Sequence, residues 1–269
     1  MLDVHPPTHA AHTWRDFFIH IATIVIGLVI AVALEQSVEA IHHHHQRTEL
    51  NEQMRVEAEH NLPIIRESLE RLHQQLAYCK SLDAALSSGK VFGATVQVTG
   101  VSPYGGSAIL ISPSRGTWTT AQSAGLVSLL PADQATLYAR VDFNAEEEVR
   151  VEALMLASLE DFTAESRRAG YVHDSPAAAS ISLAHRDDLV FQITHLENAI
   201  TSLIVRLSLL EGGDEAIAAG KLSLADIYPY QDAALHQAHL NTAVGNFYGS
   251  QIGITYKPPL ADQDAPAKH

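Results

Sequence analysis

The spacing of hydrophobic positions changes along this chain, and each spacing predicts a different element. From Phe17 to Leu34 the chain reads Phe-Phe-Ile-His-Ile-Ala-Thr-Ile-Val-Ile-Gly-Leu-Val-Ile-Ala-Val-Ala-Leu, 18 residues without a charge. As a helix at about 1.5 Å per residue, such a run is roughly 27 Å long, close to the hydrocarbon thickness of a bilayer. A cleaved signal peptide has a basic start, a shorter apolar core and a small-residue exit. Here the run is longer and passes into Leu34-Glu35-Gln36-Ser37-Val38-Glu39 without a turn signal. The expected element is an uncleaved transmembrane anchor over residues 14–35, after a tail at 1–13.

Beyond the anchor the spacing becomes heptad-like. Ala58, Leu62, Ile65, Leu69, Leu72, Leu76, Cys79 and Leu86 follow a 4-3-4-3 rhythm broken only near Asp83, the signature of a helix with one apolar seam. Pro63 conflicts with it and predicts a kink, or a helix restart with Asn61 near the cap. Ser87-Ser88-Gly89 predicts an end. Between 90 and 116 glycines, Pro103, Pro113 and short alternating runs predict either a small hairpin within 94–112, turning at Ser102–Gly106, or an irregular loop. Helical signals return at Thr117, pause at Leu130-Pro131 and run to about Ala169. The cleanest seam, Leu189, Ile193, Leu196, Ile200, Leu203, Leu207 and Leu210, follows a connection at 170–176, and Gly212-Gly213 predicts its end. A weaker helical stretch covers 214–248, bent at Pro229, and 250–269 reads as a disordered tail.

The predicted fold class is therefore mainly α: an N-terminal transmembrane helix continuing into a long helix and an antiparallel helical bundle over 36–249. The bundle is completed either within one chain or across a dimer.

Charge narrows the partners. Removing Asp3, Arg15 and Asp16 of the first 34 residues from 17 basic and 31 acidic residues leaves 16 against 29, a net charge of −13 after the anchor. Such a surface repels phosphate backbones, so no nucleic-acid partner is expected. The single cysteine, Cys79, excludes an intrachain disulfide framework and multi-cysteine metal sites. Arg15 on one flank and the more distant Arg47 and Arg55 on the other nearly balance under the positive-inside rule. The short tail before a long acidic domain favours a cytoplasmic N-terminus and a periplasmic bulk.

Within the anchor, Thr23, Gly27 and Ala31 recur every four residues, a small-residue face that lets two membrane helices approach closely. A homodimer through that face, continued by the seam at Leu62, Leu69, Leu72 and Leu76, is the expected self-association. The run His42-His43-His44-His45 suits adventitious nickel. A physiological metal site needs a third ligand and a second shell that the sequence does not display, here or at His236 and His239. His20, one turn inside the span, reads as an interfacial group, and Cys79 as a small core residue. The chain has no G-x-G-x-x-G, Walker-type, H-E-x-x-H or G-x-S-x-G motif. No catalytic residue, metal ligand or cofactor is assigned.

One stretch points to a family. Thr117-Trp118-Thr119-Thr120-Ala121-Gln122-Ser123-Ala124-Gly125, followed by Leu126, Leu129-Leu130-Pro131 and Leu137-Tyr138, resembles the aromatic-x-x-Leu/Ala-x-x-x-Gly segment of a group of uncharacterised bacterial single-pass membrane proteins. The Ile26–Ala31 part of the span and the Glu57–Leu62 region resemble the same group. The resemblance implies a membrane-anchored helical protein and no particular activity. Trp118 and Ala121 are expected to face the bundle, and Gly125 to permit close helix approach or to cap a short helix.

The expected function is that of a bacterial inner-membrane protein acting through protein–protein interaction or scaffolding, with the lipid bilayer and an unknown protein as partners. A ligand-sensing or metal-binding helical ectodomain is the alternative reading, and a membrane-tethered hydrolase the third.

Overall fold

A computed structural model of the chain describes residues 14–104, 112–171 and 179–238. The protein is mainly α-helical, as the spacing predicts, and carries one small antiparallel sheet. It comprises α1 (Trp14–Ser88), β1 (Val91–Phe92), β2 (Thr95–Val98), α2 (Gly116–Ser123), a 3₁₀ turn (Leu126–Leu129), α3 (Ala132–Arg168), β3 (Ala179–Ser182), α4 (Leu183–Ala218) and α5 (Leu224–Gln237). The chain divides into two compact units, one up to Leu50 and one from Asn51 onward. In the first, residues 17–45 of α1 are exposed throughout. They include a segment long and apolar enough to cross a membrane, none of it buried.

In the second unit, contacts fix the helix directions. Asn51 accepts a hydrogen bond from the Tyr138 hydroxyl at 3.2 Å, and the Tyr78 and Phe162 rings meet at 6.4 Å, so α1 and α3 run parallel. Arg66 reaches Glu211 at 2.8 Å while Cys79 lies near Glu197, so α4 runs against α1. Arg206 faces Glu147 at 3.7 Å and His185 faces Glu165 at 2.8 Å, so it also runs against α3. α5 returns along α4, donating from Gln231 to the Leu209 carbonyl at 3.1 Å.

α4 is the central helix. Between Leu203 and Ile217 every residue except Arg206 and Glu215 is buried. Gly212 and Gly213 do not end α4, contrary to the expectation. A Cβ on Gly212 would lie 2.6 Å from the Gln231 backbone, and one on Gly213 would lie 2.9 Å from Val141 Cγ2. The glycines let α5 and α3 close on α4. The helix ends instead at Gly220, φ 73°, with Lys221 N–H donating to the Ala216 carbonyl and Gly220 N–H to that of Ile217, each at 2.9 Å. That is a Schellman cap, and Gly170 closes α3 in the same way. The predicted helix at 214–248 is corrected accordingly: residues to 218 belong to α4, α5 starts at Leu224 with Pro229 inside it, and 239–248 lie outside the described residues.

α1 passes Pro63 without interruption, so the predicted restart at Asn61 does not occur. Its buried face is also rotated from the expected seam. Ala58, Ile65, Leu72, Cys79 and Leu86 are buried as expected, but Leu62, Leu69 and Leu76 are only half-buried, and the intervening core positions are Asn61, Ser68, Gln75 and Leu82. The chain's own later helices fill this seam.

The sheet has the order β1-β2-β3, with Val91 opposite Val96 and Val96 opposite Ile181. Its hairpin turns at Gly93-Ala94, where Gly93 has φ 60°, and not at Ser102–Gly106. Ser102, Pro103 and Tyr104 belong to no strand, and residues 105–111 lie outside the described residues.

Candidate functional site

The three segments quoted for the family resemblance meet two different surroundings. In the first unit, Thr23, Gly27 and Ala31 stand on the exposed helix, and a Cβ built on Gly27 meets nothing within 4 Å. The Thr23 hydroxyl donates to the Ile19 carbonyl at 2.8 Å, which satisfies it within the helix. His20 Nδ1 does the same toward the Asp16 carbonyl at 2.8 Å. His42 to His45 are exposed as well.

In the second unit, the Glu57–Leu62 region and residues 117–138 come together. Glu57 Oε2 accepts from the Thr117 backbone N–H at 2.8 Å and from its hydroxyl at 2.6 Å, supplying an anion to the first turn of α2. Asn61 pairs with the Ser114 backbone, accepting its N–H at 2.8 Å and donating to its carbonyl at 3.1 Å. These bonds fasten the loop before α2 to α1. Arg115 in that loop reaches Asp142 at 2.6 Å and Glu146 at 2.9 Å on α3.

The short helix α2 thereby presents Trp118 and Ala121 to the core, both buried, with the indole edge-on to Tyr138 at 5.9 Å. Gln134 donates to Asn51 and, at 3.1 Å, to the Tyr138 hydroxyl, which holds the ring in place. Gly125, φ 72°, caps α2, with its N–H donating to the Gln122 carbonyl at 3.1 Å. Nothing approaches a Cβ built there, so of the two expected roles it fills the cap.

A cavity of about 20 Å³ lies where these segments meet α4, lined by Glu57, Asn61, Trp118, Tyr138 and Asp214 among others. Asp214 is the member that sequence reasoning missed, because the adjacent Gly-Gly pair reads as a helix end. Burial drives its carboxyl well above the usual range, opposed by a hydrogen bond from Asn61 and reinforced by the charge of Glu57.

A second cluster joins the end of α3 to the start of α4. One ligand atom from each of Glu165, His185 and Asp188 lies within 4.8 Å of the others. Burial raises the Glu165 carboxyl, but hydrogen bonds from His185 at 2.8 Å and Arg168 at 3.2 Å together outweigh it and hold it below its ordinary value. Neither adjacency is visible in the sequence, because Glu165 and His185 are 20 positions apart.

Cys79 is buried, and burial pushes its thiol up to about 12, which keeps it protonated and unreactive. His236 pairs with Asp232 at 3.7 Å, and His239 lies outside the described residues. No protein family, curated protein or solved structure matches this chain.

Proposed function

We propose that this chain is a single-span protein of the bacterial inner membrane whose acidic helical bundle acts by protein–protein interaction, as a scaffold held at the bilayer. The carrying observation is the exposure of residues 17–34: an uncharged apolar stretch of α1 with no covering partner among the described residues. In water such a stripe favours aggregation, whereas in lipid every backbone group is already satisfied inside the helix. Retention in the membrane pellet after high-salt and alkaline carbonate washing is the expected result. Release into the soluble fraction refutes the anchor. A reporter fused after His269 is expected to be active in the periplasm, and activity on the cytoplasmic side reverses the orientation.

A metal-binding ectodomain is the second reading, favoured by Glu165, His185 and Asp188, whose mixed N and O donors suit first-row divalent ions. Arg168 pairs with Glu165 within α3 and His185 of α4 lies 2.8 Å from the same carboxyl, so a hydrogen-bonded clasp between α3 and α4 accounts for the same geometry. Titration of the chain with Mn²⁺ separates the two: a site lost in His185→Ala supports the metal, and no saturable binding leaves the clasp.

A further inference from the structure

α1 carries an apolar line that no described residue covers. Gly27, Ala31, Leu34, Val38 and Ile41 follow one another at a 4-3-4-3 spacing along an uninterrupted helix. Val38 and Ile41 lie past the first acidic residue, Glu35, and at 67% and 69% are the most exposed large aliphatic side chains among the described residues. The charged residues of the stretch, Glu35, Glu39, Arg47 and Glu49, all stand off this line.

The packing of the bundle does not account for it. The positions that α1 buries there, Met54, Ala58, Asn61 and Ile65, continue toward the N-terminus at the same spacing as Asn51, Arg47, His44, Ala40 and Ser37. That series is mostly polar and is displaced from the apolar one by one residue, about 100° of helix.

We propose that Leu34, Val38 and Ile41 pack against the same residues of a second copy of this chain, as a short parallel coiled coil just outside the bilayer that continues a contact of two spans at Gly27 and Ala31. The proposal rests on the reading of residues 17–34 as a membrane span.

Height selects that occupant. Two copies anchored by the same span stand parallel and at the same level, so each seam residue meets its own equivalent, as the core positions of a two-stranded coil do. So short a seam is too weak to hold partners in free solution, whereas copies confined side by side by their spans meet it as an almost intramolecular contact. Charge agrees with the arrangement. In a parallel coil the flanking residues pair across the copies five positions apart, here Ile30 with Glu35, Ser37 with His42 and His44 with Glu49, and no pair joins two acids or two bases. His45, at the next core position, ends the apolar seam with a polar layer.

Cysteine scanning of the full chain in native membranes tests the seam, with copper phenanthroline as oxidant. The native chain, whose only cysteine, Cys79, is buried, is the control. Leu34→Cys, Val38→Cys and Ile41→Cys are expected to form disulfide-linked dimers about tenfold faster than Gln36→Cys, Ala40→Cys and His43→Cys, because only seam positions bring the Cα atoms of two copies within the roughly 7 Å that a disulfide spans. All six positions are exposed, so the variants leave the core intact. Two differently tagged copies, both recovered in the linked species, identify the partner as this chain. Equal rates at all six positions, or no dimer at the seam, overturn the proposal, as does a seam linked to a different protein. Retention after carbonate washing is scored in the same samples. Release refutes the anchor and with it the confinement of the copies, whereas a retained chain without the 4-3 pattern refutes the seam alone.

Discussion

Glu148 is 1% exposed on the core face of α3, and its Oε2 has no partner among the described residues. Burial, reinforced by the charge of Glu152, raises its carboxyl from 4.5 to about 7. A carboxyl with a raised folded-state pKa binds its proton more tightly when folded. The protein is therefore expected to lose stability as pH rises from about 4.5 through about 7. At 1.36 kcal/mol per unit the loss is on the order of 3 kcal/mol. Melting temperatures measured between pH 5 and 8 check this, and Glu148→Gln is expected to flatten the profile. A profile equally steep in that variant assigns the slope to another buried acid. Trp118 acts on stability by packing. Its replacement by Ala opens a large cavity against Tyr138 and is expected to cost about 3–5 kcal/mol, a large share of the roughly 5–15 kcal/mol that holds a domain folded. If Trp118→Ala melts like the parent yet loses a binding partner, the ring serves recognition and the packing assignment for 117–130 is wrong.

At the scale of elements, helix crossings are decided by the smallest residues. Alanine at Gly212 gains up to about 1 kcal/mol of helix propensity, yet places a methyl 2.6 Å from the backbone of Gln231, which cannot rotate away. Overpacking of that kind typically costs about 1–3 kcal/mol, so Gly212→Ala is expected to lower the melting temperature. A rise would mean that α5 yields easily. The same glycines show what the sequence conveys. Helix type and approximate extent are legible because a 3–4 rhythm survives any packing partner, and the seam from Leu189 to Leu210 is buried as spaced. The rotation of α1 is not legible: Asn61, Ser68 and Gln75 enter the core because α3 and α4 lie on that side, and Asn61 gains the Ser114 backbone in compensation. β3 is also hidden, since four residues find their strand only by pairing with β2 more than eighty positions earlier. Of the candidate site, Trp118, Ala121 and Gly125 are legible. Asp214 is not, because its burial depends on a glycine pair that serves crossing and not termination.

For the whole molecule, the filled seam leaves the expected homodimer only the N-terminal part of α1. Leu72, expected to contribute to a dimer, is fully buried among the chain's own helices, so it cannot serve two partners at once. The exposed apolar stretch of α1 retains the small residues Thr23, Gly27 and Ala31, with the Thr23 hydroxyl satisfied internally and open space over Gly27. If the stretch lies in lipid, close backbone approach brings dispersion contacts that bulkier faces prevent, and the net charge of −13 after residue 34 opposes association of the bundles themselves. Any homodimer in the membrane is thus expected to depend on the span and to strengthen as salt screens the bundles. Gly27→Ile is expected to weaken it by about tenfold, equivalent to about 1.4 kcal/mol. Ile placed at Val29, on the opposite side of the helix, is expected to leave it unchanged. Cross-linking of the full chain in native membranes reads both variants. Equal cross-linking of Gly27→Ile and the parent assigns association to another surface, while equal losses in both variants show that the span responds to bulk anywhere and has no defined face.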